Sequence, residues 1–218
     1  MQTVADKITM LHKSLPDNVS LVAVSKKKSA AEIIEVAEAG QLDFGENYVQ
    51  ELCEKIQILP KTLRWHAIGH LQTNKVKDIV PFVHLIHGID SLRLLHEVNK
   101  QAKKVNRIIP CLLQVHIAKE ETKFGFLTEE VKIFLGSEEE KEYQNVALCG
   151  LMGMASQTDD QIKIGQEFAE LKSLFDWSKK GKKNFSVLSM GMSSDYKIAI
   201  DEGSTLVRIG SLIFGARV

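Results

Sequence analysis

The sequence predicts a single (β/α)8 barrel of TIM type spanning residues 1–218. Three observations point to it. Short β-branched runs alternate with amphipathic helical stretches from near one end to the other, and eight such runs can be counted. Many of them are apolar without alternation, as strands are when both faces of a parallel sheet are covered. The chain has 218 residues, which suits eight compact βα units around one core. An open doubly wound sheet is the alternative, and it is disfavoured because no GxGxxG follows the first strand.

The elements follow in order. "VSLVAVSK" is the first strand, and "SAAEIIEVAEAG" the first crossover helix, with Ser29 as N-cap, Glu32 as its capping-box partner and Gly40 as the stop. "QLDFGEN" is the second strand, with a helix from about Tyr48 to Ile58. "LRWHAIG" and "TNKVKDIV" form the third pair, and "FVHLIHGI" is the fourth strand, after which Asp90 is expected to cap "SLRLLHEVNKQAKKV". "IIPCLLQVHI" is the fifth strand, with a helix near Thr128 to Leu135. "VALCGLMGM" is the sixth, and its helix, about Asp159 to Ser178, carries Ile164, Phe168, Leu171 and Phe175 on one stripe. "SVLSMGM" with "DYKIAIDEG", then "STLVRIGS", complete eight strands. The charged segments "GSEEEKEYQN" and "SKKGKKN" read as solvated connections.

Composition narrows the function. The formal net charge is zero, so nothing drives the chain onto nucleic acid or an anionic membrane. Cys53, Cys111 and Cys149 are odd in number and lack CxxC spacing, which suits a reducing compartment and argues against a disulfide framework or a zinc site. The N-terminus has no apolar signal region and no run reaches bilayer length. The expectation is a cytoplasmic monomer.

In a barrel the functional groups sit at the C-terminal ends of the strands. "GMSSDYKIAI" puts Ser193 and Ser194 at a helix start, where N–H groups favour an anion, and "VRIGS" puts Gly210 and Ser211 in the neighbouring loop. Alone, "SSD" is a cap. With "RIGS" beside it, a phosphate site is the better reading, because barrels commonly bind phosphate after strands seven and eight. Lys26 ends strand one, next to that site once the barrel closes. A lysine desolvated in a barrel mouth has a lowered pKa, and its neutral amine attacks an aldehyde to give a Schiff base. An aldehyde that also carries a phosphate is pyridoxal 5′-phosphate (PLP). Arg208 lies between the lysine and the phosphate loops and could meet the pyridine nitrogen. A sugar-phosphate aldolase lysine remains open on these residues alone. His66 and His70 lack an HExxH frame, so no metal is expected there. His84, His87, His96 and His116 read as surface or packing residues, Lys27 and Lys28 as solvent-facing. Met152, Met154, Met190 and Met192 are expected to line the barrel top.

The segments "VAVSKKKS", "FGENYVQE", "WHAIGHLQTNK", "GLMGMAS", "LSMGMSSDYKIAI" and "STLVRIGSLIFGAR", in this order from Val22 to Arg217, resemble the pyridoxal-phosphate homeostasis protein family. These small barrels are similar to the N-terminal domain of alanine racemase. The resemblance implies a PLP Schiff base on Lys26, phosphate contacts from Ser193, Ser194, Gly210 and Ser211, Arg208 at the pyridine nitrogen and Asn47 close to the ring. Lys123 and Gly125 match family positions without an evident chemical role. It also implies a part in intracellular vitamin B6 balance without robust catalysis, with apo PLP enzymes as conceivable acceptors. The alternative is a PLP-dependent amino-acid racemase. Racemisation needs a second acid/base, which in alanine racemase is a tyrosine from a further domain. This sequence ends at "RIGSLIFGARV", so turnover is expected to be negligible.

Overall fold

The computed structural model describes residues 3–118 and 124–215. Lys123 and Arg217 therefore lie outside the described residues. Eight strands close into one parallel barrel in sequence order: β1 (Ser20–Val24), β2 (Asp43–Glu46), β3 (Arg64–Ala67), β4 (Leu85–Ile89), β5 (Ile109–Val115), β6 (Val146–Gly153), β7 (Val187–Ser189) and β8 (Leu206–Ile209). Closure runs through β1 and β8, with Val22 opposite Arg208 and Ala23 opposite Ile209. The doubly wound alternative is excluded by this closure.

Helices cover the outside: α1 (Val4–Ser14), α2 (Ala30–Glu38), α3 (Val49–Ile58), α4 (Val76–Ile79), α5 (Leu92–Lys104), α6 (Thr128–Gly136), α7 (Gln161–Ser178), α8 (Tyr196–Asp201) and α9 (Ser211–Phe214). Ser29 caps α2 with Glu32 in a full capping box, and Gly40 follows at φ +98°, a conformation glycine adopts without strain. Ile164, Phe168, Leu171 and Phe175 are all buried against the barrel.

Several local expectations need correction. Ser91, not Asp90, caps α5 by accepting from the Leu94 amide, and Asp90 instead pairs with His70. "TNKVKDIV" begins as a 3₁₀ turn (Thr73–Lys75) before α4, and another 3₁₀ turn (Glu138–Glu142) lies in the charged connection before β6. Helices α1 and α9 have no counterpart in the sequence-based reading. In α1 only Ile8 and Leu11 are buried, too sparse a stripe to declare itself, although Thr3 and Asp6 form a capping box.

Two layers of core result. A large one fills the space between strands and helices, with Phe44, Trp65, Phe168 and Phe185 its largest fully buried members. A small one, Val22, Leu85, Leu112, Met152 and Leu206, fills the lumen. Along β6 the pairing to β5 shifts by one residue: Leu148 faces Cys111, but Gly150 faces Leu112. Cys149 is thus the extra residue of a bulge. Gly150, at φ +156°, lies where a Cβ would stand 1.7 Å from the Val187 carbonyl oxygen. No described helix is long and apolar enough to cross a membrane.

Candidate cofactor site at the barrel mouth

The first strand hands the chain to a tight turn. Ser25 accepts from the Lys28 amide, and Lys26 and Lys27 are the turn's centre. Lys27 has φ +61°, the left-handed region that costs a side-chain-bearing residue strain. A cluster of ionised groups between barrel and α3 holds it there. Glu51 accepts from the Lys27 amide, and Lys55 donates to Glu51, to Glu46 and to the Ser25 carbonyl, each at 2.7 Å. The Ser25 hydroxyl donates to Glu46 at 2.5 Å. Glu46 and Lys55 are both buried, and burial raises the Glu46 pKa despite the opposing hydrogen bonds from Lys55 and Ser25. Its second carboxylate oxygen is buried with no hydrogen-bond partner among the described residues. Sequence reasoning missed this support. Nothing in "ELCEKI" distinguishes Lys55 from a surface lysine, although Glu51 and Lys55 stand at i, i+4 spacing. Lys26 itself is half-buried and Lys27 exposed, as expected. Lys28 is not simply solvent-facing: it pairs with Glu32 and lies 5.5 Å from the centre of the Phe214 ring.

Across the closure, the loops after β7 and β8 meet. The Gly210 amide donates to the Ser193 hydroxyl at 3.3 Å. A Cβ on Gly210 would lie 3.2 Å from the Val24 carbonyl oxygen, so this loop touches the end of the lysine strand. Ser194 and Ser211 are exposed beside it, and Ser193 is half-buried. Asp195 stands at the N-cap position of α8 but caps nothing; its side chain accepts from the Met192 amide at 2.6 Å and braces the loop. On the opposite rim, Asn47 follows β2. A Cβ on Gly69 would stand 2.5 Å from the Asn47 carbonyl oxygen, and one on Gly88 would stand 2.8 Å from that of Gly69. The glycines let three consecutive strand ends close together around Asn47.

Arg208 is buried in the lumen below these loops. It donates to the Ser189 carbonyl at 2.9 Å, to the Ser189 hydroxyl at 2.5 Å and to the Gly153 carbonyl at 3.2 Å. Burial lowers its pKa to about 10, with Asp195 opposing, so it remains a cation at neutral pH. Beside its apolar cluster the lumen also holds a polar chain, which the sequence analysis did not predict. His87 Nδ1 lies 3.0 Å from the Ser189 hydroxyl, and His87 Nε2 lies 2.9 Å from His66 Nδ1. His66 Nε2 lies 3.0 Å from Asp43, whose carboxylate also receives a two-pronged Arg64 guanidinium. His87 is therefore neither a surface residue nor mere packing: it is fully buried and bonded at both nitrogens. Burial, then the neighbouring His66 and Arg208, push its pKa well below the usual histidine value. Period-two counting along "LIHGI" puts His87 on the face of Leu85, a signal for the lumen that was available in the sequence. The four methionines do not gather at the barrel top: Met152 packs in the small inner cluster with Met154 against it, Met190 packs in the outer core and Met192 is exposed.

The site thus brings Lys26, Ser193 and Gly210 to one seam of the rim, with Arg208 beneath and Asn47 on the β2 side. An amine, N–H and hydroxyl donors for an anion, and a buried guanidinium fit an aldehyde that carries a phosphate and a ring acceptor.

Comparison with known proteins gives the family. A family model described as alanine racemase, N-terminal domain, matches residues 1–218. A pyridoxal phosphate homeostasis protein of Pasteurella multocida is 39% identical over 207 residues, covering 91% of this chain and 87% of that protein. One from Helicobacter pylori is 40% identical over 198 residues, covering 90% and 87%. PipY of Synechococcus elongatus, solved with PLP bound, is 33% identical with a TM-score of 0.88, covering 98% of this chain and all of its own. A Clostridium difficile alanine racemase shares the fold with a TM-score of 0.80 at 15% identity, over 57% of its own length. By matching over nearly their whole length, the chain belongs to the pyridoxal phosphate homeostasis proteins, a family built on the alanine racemase N-terminal barrel.

Proposed function

We propose that this protein binds PLP at the barrel mouth and serves vitamin B6 homeostasis by holding and releasing the cofactor, without acting as an efficient catalyst. The observation that carries the reading is the seam between β1 and β8, where the end of the lysine strand meets the loop that Ser193 ties down. Bound PLP supplies an aldehyde to which an amine attaches and a pyridine ring that withdraws electrons. Lys26 would attach it, Ser193, Ser194, Ser211 and the Gly210 backbone would hold the phosphate, and Asn47 would flank the ring. Arg208 offers the pyridine nitrogen donors only. A guanidinium cannot protonate that nitrogen in any accessible pH range, which leaves the ring a weak electron sink. Tyr48, next to Asn47, is exposed to solvent, and Tyr196, just after the Ser193–Ser194 loop, packs against the outer core.

The test uses purified protein. It should be yellow with PLP, and borohydride should bleach it and add the cofactor's mass at Lys26. Holo-protein should then pass PLP to an apo PLP enzyme in the presence of a free-PLP trap. Alanine in deuterated water should exchange its α-proton far more slowly than about 1 s⁻¹, a slow value for an enzyme. Exchange at that rate or above would replace this reading with a racemase. A colourless protein with no reducible adduct would favour the aldolase-type lysine instead.

A further inference from the structure

The polar chain in the lumen admits one arrangement of protons. Arginine has donors and no acceptor, so the Ser189 hydroxyl accepts from Arg208. Ser189 is fully buried, and among the described residues its hydroxyl meets Arg208 and His87 alone. Its own proton must therefore go to His87 Nδ1, the bare nitrogen of a neutral ring. The His87 proton then sits on Nε2 and is donated to His66 Nδ1. That leaves the His66 proton on Nε2, donated to Asp43. Reversing the order would leave the Ser189 O–H without an acceptor in a fully buried place, at a cost of about 1–3 kcal/mol. Four hydrogen bonds thus run in one sense from a cation under the mouth to a carboxylate at the N-terminal end of the barrel.

We propose that Ser189, His87, His66 and Asp43 are positioning residues. They form a one-way relay that holds Arg208 in place as a donor, and so set how firmly the pyridine nitrogen of PLP is bound. The ligand in this statement rests on the function proposed above; the proton arrangement does not. Asp43, His66 and His84 also present ligand atoms within 4.8 Å of one another, a spacing that a metal ion could use. The Asp43 oxygens, however, already accept from the Arg64 guanidinium and from His66, so the relay and not a metal accounts for this cluster.

Two measurements decide the matter. Long-range ¹H–¹⁵N correlation on ¹⁵N-labelled apo-protein near pH 7.5 reads the histidine tautomers without any cofactor. His66 and His87 should both carry their proton on Nε2. A proton on Nδ1 of either ring, or a doubly protonated ring, overturns the relay even if PLP binds. The second measurement is PLP affinity in Ser189→Ala. It should fall about fivefold, the worth of one hydrogen bond, while borohydride still traps one adduct per chain. Unchanged affinity with intact trapping overturns the positioning role. Wild-type protein that traps no PLP overturns the proposed function, and with it the relay's purpose, whatever the tautomers are. Should Ser189→Ala fail to fold, Asp43→Asn at the half-exposed far end is the substitute. There a loss of about twofold supports the role and no loss overturns it.

Discussion

The turn after β1 and the loops after β7 and β8 lie side by side on the rim, yet they are built by opposite means. The lysine turn is held from the helix layer by side chains: Lys55, Glu46 and Glu51 fix Ser25 and the strained Lys27. The two loops are held from within, by their own amides on their own short side chains and by close approach: the Gly210 amide on Ser193, the Met192 amide on Asp195, and Gly210 against Val24. A covalent attachment point needs one atom in one place, which a stiff ionic cradle provides. A phosphate is served by several donors around it, which a loop of small residues presents through its backbone N–H groups and short hydroxyls.

The sharpest break is Lys26→Ala. It should abolish the borohydride-trapped adduct while leaving some PLP bound through the loops, as mass spectrometry and equilibrium dialysis would show. A persisting adduct moves the attachment to Lys27 or Lys28.

Lys55→Met attacks the cradle without touching the mouth. It strands Glu46 in a buried place, so urea unfolding should report a loss of about 3–5 kcal/mol, much of which Lys55→Met with Glu46→Leu should recover. If the single variant is as stable as wild type, the cradle is not what holds the turn.

Gly210→Val attacks the loops. The side chain would press on the Val24 backbone and cover the amide, so PLP affinity should drop more than in Ser194→Ala. The serine variant loses one charge-assisted bond, roughly 1.5–3 kcal/mol. Equal losses, or none in the valine variant, would place the phosphate elsewhere.

The smallest effect concerns the lumen beneath both. His87 has a lowered pKa in the folded chain, so the unfolded chain binds the extra proton first as pH falls. Its share of stability is present above about pH 6.5 and is lost below it, at up to about 1.4 kcal/mol per pH unit. Glu46, raised by burial, acts with the opposite sign. The measurement is therefore the difference between wild type and His87→Gln in chemical denaturation at pH 7.5 and 5.5. A difference that does not change with pH would mean that His87 titrates normally.

The contrast also explains what the sequence made legible. Period, caps and glycine stops announce the barrel because they are local. The loops announce themselves only as a pair, because two serine- and glycine-bearing segments follow the last two strands, and Lys26 stands out beside them. The cradle and the lumen relay are non-local: Glu46 and Lys55 come from a strand and a helix, and Asp43, His66, His87, Ser189 and Arg208 from five different strands. Each looks ordinary in its own segment, and only barrel closure brings them together. Even so, His66 lies opposite Leu85, and alternation carries the same face on to His87, so a reader who counted faces and not only residue types would have placed both histidines in the lumen.

The bulge at Cys149 sets the barrel's tolerance to changes in chain length. A strand alternates its faces every residue, so one extra residue is a half-period shift for everything after it. Here the shift turns Met152 into the lumen and Leu151 outward, and places the Gly153 carbonyl under Arg208. Deleting Cys149 would therefore reach every residue after it. It would exchange the two faces of the strand's last residues, bring a leucine toward the guanidinium and take away one of its acceptors. Among natural variants, the length of this stretch should be guarded more strictly than its residues.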